Sequence, residues 1–247
     1  MIKFVGFGNI LRLANDPIFL KALTNTMTFL IVQVPVMILL ALILASALNM
    51  PGLRARRFWR TAIFLPCVTS LVAYSVLFKS MFSYDGVVNH LLDAMGIIGE
   101  PISWLTDPFW AKVVIILAIT WRWTGYNMIF YLAALQNIDK SIYEAARIDG
   151  ISPAKQFFSI TIPMLKPVIL FTTVTSTIGT LQLFDESMNI TLGGPADSTL
   201  TLSMYIYNLS FKFVPNFGYA TTVSWFIVFM VAILAVIQFW LARERTV

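Results

Sequence analysis

Five long apolar stretches alternate with shorter polar segments along the chain. They cover residues 22–48, 61–82, 109–135, 168–184 and 219–241. A helix needs about 20 apolar residues to cross the hydrocarbon core of a bilayer. Each stretch therefore predicts a membrane-spanning helix, and the expected fold class is all-α and polytopic. The fourth stretch is the most polar, carrying Thr172, Thr173, Thr175, Ser176, Thr177 and Thr180. Ser176, Gly179, Thr180 and Leu183 recur there at the spacing of one helix face. Such a face is tolerable against another helix or a wet cavity and costly against lipid. Helix packing and a cavity wall are both open readings.

The polar segment 136–167 has more order than a plain loop. Asp139 and Ser141 are candidate N-caps for a helix that includes 143–148, and Gly150 can end it in a left-handed conformation. Ser152 then caps a second helix, with Pro153 as its first residue. This second helix is expected over 154–160, with Pro163 and Pro167 punctuating the return to the membrane. Ala145 and Ala146 give a small-residue face that another chain can approach closely. Glu144, Arg147, Asp149 and Lys155 surround it with charge. An amphipathic connector at the membrane surface is the plainer reading.

Charge orients the spans. Arg54, Arg56, Arg57 and Arg60 follow the first; Lys140, Arg147, Lys155 and Lys166 follow the third; Arg243 and Arg245 lie in the tail. The segment 83–108 holds Asp85, Asp93, Glu100 and Asp107 with no Lys or Arg, and 185–218 holds Asp185, Glu186 and Asp197 against Lys212. Lys and Arg mark the cytoplasmic side. The C-terminus is therefore expected in the cytoplasm and the N-terminus outside. Residues 1–21 carry Lys3, Arg12 and Lys21 against Asp16. That is an unusual load to export, and it leads to the expectation of a missing upstream span.

Composition narrows the function. The chain is 58% hydrophobic and 12% charged, against about 25% charged in soluble domains. The net charge of +5 lies in loops rather than along one face, so it is no nucleic-acid signal. One cysteine, Cys67, excludes an intrachain disulfide, and with the single His90 it makes no metal site. A membrane enzyme would need a convergent catalytic set that these residues do not form. An ion-coupled transporter would show internal repeats and intramembrane carboxylates; the charge near the middle of a span is Arg122. Such a charge serves either the pathway or a structural ion pair. Asp185 and Glu186 end the fourth span at the external surface, as gate or docking carboxylates or as simple solvated ones.

Glu144-Ala145-Ala146, three residues, Gly150, nine residues, Ile160, one residue, then Ile162-Pro163 resembles the EAA loop of ABC importer permeases. Asp149 before Gly150 fits the pattern, and Ile162 stands where the family has Leu. The rest of the chain is similar to the maltose-type carbohydrate subfamily. The likeness is carried by Val5-Gly6-Phe7, Asn9, Asp16-Pro17, Asn25-Thr26, Leu65-Pro66 and Trp121 with Gly125-Tyr126. It continues through Phe184-Asp185, Thr191-Leu192-Gly193-Gly194-Pro195, Ser198-Thr199, Tyr205-Ile206-Tyr207 and Gly218-Tyr219-Ala220. What departs is the start, where the family's usual first span is absent.

The resemblance implies a type I ABC importer permease fold, with 1–247 as a single transmembrane domain, about five spans and a cytoplasmic coupling helix within 136–167. It implies a cell (inner) membrane protein of a bacterium or archaeon. A second permease, two ATPase subunits and an extracytoplasmic solute-binding protein are the implied partners, with a carbohydrate as solute. The chain has no Gly-Lys-Ser/Thr phosphate loop, so ATP and Mg are expected on the separate ATPase, and no cofactor, metal or catalytic residue is expected here. Glu144, Ala145, Ala146, Asp149, Gly150 and Pro163 are the implied coupling residues. Tyr126, Ser176, Thr180 and Leu183 match the family's sugar-lining region, although its asparagines are missing. Trp123 and Tyr126 add the aromatic faces that suit sugars, and Arg122 and Gly179 lie beside these positions. Asp185, Glu186, Gly193, Gly194 and Pro195 are the implied external gate or binding-protein contact. An ABC permease for a non-sugar solute and an ion-coupled transporter stand as alternatives.

Overall fold

The structure, a computed structural model, describes residues 5–50 and 52–243. Lys3 and Arg245 of the charge pattern lie outside the described residues. Every regular element among the described residues is helical. The elements are α1 (Gly8–Asn15), α2 (Pro17–Asn49), α3 (Arg56–Val68), α4 (Leu71–Met81), α5 (Val87–Ala94) and α6 (Pro108–Gln136). They continue with α7 (Lys140–Ile148), α8 (Pro153–Gln156), α9 (Ile162–Leu181), α10 (Leu202–Tyr207) and α11 (Phe217–Ala242).

Among the described residues, four helices are long and apolar enough to cross a membrane: α2, α6, the run Pro153–Leu181 and α11. The second expected span is broken instead. α3 and α4 meet at 99° and form a fifth span only when counted together. Pro66 lies in the last turn of α3, and Ser70 is extended at φ −57°, ψ 132°. A ring without an N–H followed by an extended residue ends one helix and starts another.

The fourth span begins earlier than hydropathy indicates. α8 runs through a widened turn, Phe157–Thr161, directly into α9. Here the Ile162 N–H reaches back to the Phe157 carbonyl. That single π-turn falls just before Pro163 and gives room for a proline ring and its missing N–H. Pro163 and Pro167 therefore sit within a continuing helix rather than at its border. The span also ends at Leu181, short of Phe184.

The chain forms two compact units. Among the described residues, the first comprises 5–34, Thr69–Ile119 and Thr177–Leu234; the second comprises those of Pro35–Val68, Thr120–Ser176 and 235–243. In the first unit, Phe19, Leu181, Leu202, Tyr219 and Val223 build one core and Phe29, Tyr74, Phe78, Trp104 and Ile115 another. Asn89, 3% exposed, organises the acidic segment. Its amide donates to the carbonyls of Tyr84 and Ile102, both at 2.9 Å, and its Oδ1 accepts from Ile102 N and Trp104 Nε1 at 3.1 and 2.8 Å. A buried amide satisfied on both sides fixes one loop path, because any other path strands polar groups.

The second unit packs Ala41, Ala45, Met128, Tyr131, Leu132 and Leu165. Gly125 marks a close backbone approach in it. A Cβ there would fall 2.0 Å from the Ile63 carbonyl oxygen. Small residues allow membrane helices to approach at this distance, which explains the glycine of the Gly125-Tyr126 pair.

Candidate functional site

The segment between α6 and α9 folds as two capped pieces around a bend. Asp139 Oδ1 accepts from Ser141 N at 2.9 Å and starts α7. Hydrogen bonds from the Ser141 amide and hydroxyl hold the Asp139 carboxyl below its ordinary pKa. At the other end Gly150 has φ +70°. Its N–H donates to Arg147 O at 3.0 Å, and Ile151 N donates to Ala146 O at 2.9 Å. This is a left-handed glycine stop with a six-to-one closing bond. Ser152 Oγ accepts from Lys155 N at 3.4 Å and opens α8 behind Pro153. Gln156 Nε2 ties back to the Ile151 carbonyl at 2.7 Å, and Tyr143 Oη meets Thr161 Oγ1 at 3.0 Å. Both bonds lock the bend.

Glu144, Ala145, Asp149, Gly150 and Pro163 are exposed. Ala146 departs from the expected two-alanine face: it is 4% exposed and packs inward. Ile148, which the sequence reading passed over, is 87% exposed and gives the outer surface an apolar point. On α7 only Ala145 of the alanine pair is open to close approach.

The expected pathway residues divide between the two units. In the second unit Arg122 is 7% exposed, with its guanidinium 5.4 Å from the Trp123 ring centroid, within cation–π range. Trp123 meets Tyr126 edge-on at 5.6 Å, Tyr126 meets Phe130 at 5.0 Å, and Phe130 meets Phe171 at 5.6 Å. Positions 123, 126 and 130 follow helix spacing, so α6 carries a row of rings. Phe130 is legible in that spacing, whereas Phe171 comes from α9 and joins the row only in the folded unit. Asn127, 1% exposed, donates to the Trp123 carbonyl at 3.2 Å. Ser176 is half-buried in the same unit.

Gly179, Thr180 and Leu183 belong to the first unit. Gly179 is exposed. Thr180 is buried and donates to Gln33 Oε1 at 3.1 Å, and Leu183 joins the core of Phe29 and Ile115. These two positions serve the interior of their unit rather than an open hydroxyl face.

The segment after α9 is densely knitted. Glu186 corrects the expectation of a surface carboxylate: it is 4% exposed and accepts from the Tyr74 hydroxyl. Asp185 is half-buried. Gly193 is at φ +80° against Met204, whose Sδ and Cε would lie 3.1 Å from a Cβ. Thr199 Oγ1 donates to Gly194 O at 2.8 Å, and Thr201 Oγ1 donates to Leu183 O at 2.6 Å. Gly194 and Pro195 are half-buried. From α2, Asn25 Nδ2 donates to the carbonyls of Asp197 and Leu200 at 2.7 and 2.9 Å, while Thr26 Oγ1 accepts from Leu202 N at 3.1 Å. Asp16, which caps α2, accepts from the hydroxyls of Tyr205 and Tyr219. Asp16, Tyr205 and Tyr219 thus hold one another, while Asn25 and Thr26 hold the backbone of 197–202. Sequence reading had each residue but no signal for pairings so distant in the chain.

Among the described residues no cluster of three or more His, Cys, Asp or Glu could hold a metal. The arrangement offers capped helices, an aromatic row and bonded loops on helices long and apolar enough to cross a membrane.

Comparison with known proteins agrees. The chain is 71% identical over 247 residues to the lactose transport system permease protein LacF of Rhizobium radiobacter, covering 99% of this chain and 83% of that protein. It is 33% identical to the arabinooligosaccharides transport system permease protein AraP of Halalkalibacterium halodurans, covering 97% of this chain and 76% of that one. Among solved structures, a bacterial ABC transporter involved in the import of the acidic polysaccharide alginate aligns with a TM-score of 0.84 and 26% identity, covering 99% of this chain and 85% of that chain. The family of binding-protein-dependent transport system inner membrane components matches residues 8–244, and the chain belongs to it: this is a membrane-embedded permease subunit of an ABC importer.

Proposed function

We propose that this chain forms one half of a carbohydrate pathway and takes its driving force from separate ATPase subunits through α7 and α8. The chain is a permease of a sugar ABC importer by its relatives, whose printed solutes include lactose and arabinooligosaccharides. The 71% identity makes a lactose-type disaccharide the first solute to test. Family membership sets aside the ion-gradient alternative, since these systems depend on a binding protein.

The observation that carries the coupling role is the locked bend at Gly150, with Glu144 and Ala145 exposed on α7. A rigid surface transmits a push; a floppy one absorbs it. Coupling requires contacts that differ between two states of the ATPase, and fixed geometry makes such differences count. Glu144 is the charged anchor, Ala145 the close-approach point, and Gly150 the turn. Ala146, Asp149 and Pro163 hold the shape around them. ATP and Mg reside on the ATPase pair.

For the solute, Trp123 and Tyr126 offer ring faces and Ser176 a hydroxyl in the second unit, with Arg122 buried against Trp123; Gly179 is an exposed pathway candidate of the first unit. Thr180 and Leu183 position that helix from within. The half-buried Asp185, Gly194 and Pro195 belong to the external region that meets the binding protein, with the buried Gly193 shaping its turn and Glu186 bracing it from inside. A second permease completes the pathway. The chain works as one permease domain in which 136–167 is the coupling loop. That loop and the C-terminus lie on the cytoplasmic side by their basic residues.

The test is transport in proteoliposomes containing this chain, its partner permease, its ATPase and its binding protein. Uptake of labelled lactose should require ATP and the binding protein together. Uptake driven by an ion gradient without ATP would overturn the proposal. Uptake of an amino acid in place of sugars would overturn the solute class.

A further inference from the structure

A groove of about 200 Å³ opens in the second unit where α2 ends and α3 begins. Leu44, Ala47, Leu48, Leu53, Trp59 and Ile63 line it, and none of them is charged. The chain around its mouth is strongly cationic. Arg54, Arg56, Arg57 and Arg60 lie there, and residues 50–60 contain no carboxylate. On α3 the positions 56, 59, 60 and 63 fall on one helix face. Arg56 and Arg60 therefore share the face of the lining residues Trp59 and Ile63. Arg56 also donates to the Met50 carbonyl, which holds its guanidinium against the end of α2. Arg54, Arg57 and Arg60 are exposed. Phe58 and Trp59 are 65% and 49% exposed at the same level, the placement of aromatic residues at a membrane–water boundary.

We propose that this groove is a binding site for an anionic phospholipid. Its acyl chain lies along Leu44, Leu48 and Ile63, and its phosphate sits on Arg56 and Arg60. Topology alone accounts for arginines in this loop, but not for an apolar groove lined by Trp59 and Ile63 on the same face of α3. A zwitterionic lipid supplies the chain without net charge, and free phosphate supplies the charge without the chain. A polypeptide occupant would have to bring several carboxylates to the arginine face. Charge and apolar surface together fit a two-part amphiphile, and basic pockets between membrane helices recognise anionic headgroups in this way. The site requires α3 to enter the bilayer and is independent of the solute transported.

The test uses the purified full chain assembled with its partner subunits. Native mass spectrometry follows retention of dioleoylphosphatidylglycerol, dioleoylphosphatidylcholine or inorganic phosphate. Phosphatidylglycerol should be retained about tenfold better than phosphatidylcholine, and inorganic phosphate should not displace it. The pair R56Q/R60Q should abolish the preference, and Ala47→Leu, which fills the groove, should lower retention of both lipids. Lys212→Gln, in the other unit, should change nothing. Equal retention of the two lipids, or an unchanged preference in R56Q/R60Q, overturns the proposal. So does a photo-crosslink from position 59 that lands on a polypeptide rather than lipid. A transport defect with normal lipid retention would concern the permease role and leave the lipid site standing.

Discussion

The carboxylate of Asp16 accepts a hydrogen bond from the Tyr219 hydroxyl at 2.6 Å, across 203 residues of chain. The same Oδ2 takes the Tyr205 hydroxyl at 2.5 Å, while Oδ1 caps α2 through the amides of Ile18 and Phe19. Arg12 lies over the Tyr219 ring at 4.0 Å. One carboxylate thus joins the start of α2 to α10 and α11. Hydrogen bonds to a charged acceptor contribute about 1.5–3 kcal/mol each, less where water competes. Asp16→Ala should lower stability by about 2–3 kcal/mol, read as the thermal unfolding midpoint in detergent. The single variants Tyr205→Phe and Tyr219→Phe should each cost less than Asp16→Ala.

The same carboxylate predicts a pH dependence. Burial pushes the Asp16 carboxyl up. Hydrogen bonds from Tyr205, then Tyr219, and the amides of Phe19 and Ile18 outweigh burial and hold it below its ordinary value. A folded pKa below the unfolded one stabilises the fold fully above the ordinary carboxylate value of about 3.9. That contribution is lost as pH falls through the folded pKa. The wild type should therefore lose melting temperature more steeply than Tyr205→Phe/Tyr219→Phe as pH is lowered from about 5 to about 3. Parallel profiles would remove Asp16 from the explanation.

Gly125 and Gly179 make an internal control for helix contact. At Gly125 a Cβ would meet the Ile63 carbonyl oxygen at 2.0 Å, whereas at Gly179 it meets nothing within 4 Å. Gly125→Ala should cost about 3 kcal/mol, at the upper end for overpacking. Gly179→Ala should be near neutral for stability. Membrane yield and thermal unfolding of the two variants decide the matter.

The arginines predict a topology. On the Cys67→Ala background, a cysteine replacing Arg57 should be labelled by an impermeant maleimide only from the cytoplasmic face. A cysteine replacing Asp93 should be labelled only from outside. The opposite pattern would invert the assignment of 136–167 to the cytoplasm.

Local features were legible in the sequence and non-local ones were not. The caps at Asp139 and Ser152 and the stop at Gly150 are set by residues within one turn, so pattern and structure agree. Four of the spans were legible because length and apolarity alone define them. The 99° break between α3 and α4 was not, because hydropathy does not register a bend. Nor was the early start of the fourth span, where the widened turn at Phe157–Thr161 carries the helix up to Pro163 through a polar stretch. Ala146, Thr180, Leu183 and Glu186 were read by the chemistry of their side chains. Their burial depends on partners such as Gln33 and Tyr74, far off in the chain.

The aromatic row on α6 shows the same limit from the other side. Trp123 and Tyr126 stood out as sugar-compatible rings, yet their neighbour Phe171 comes from another helix and completes the row only in three dimensions.

The central claim is that α7 and the bend at Gly150 transmit the ATPase stroke. Its most direct test is ATP hydrolysis by the reconstituted importer, with and without solute-loaded binding protein. Glu144→Lys and Gly150→Val should each insert in the membrane normally yet lose solute-stimulated hydrolysis and uptake. A β-branched residue at φ +70° breaks the bend, and a reversed charge displaces the anchor. Unchanged stimulation in both variants would contradict the account.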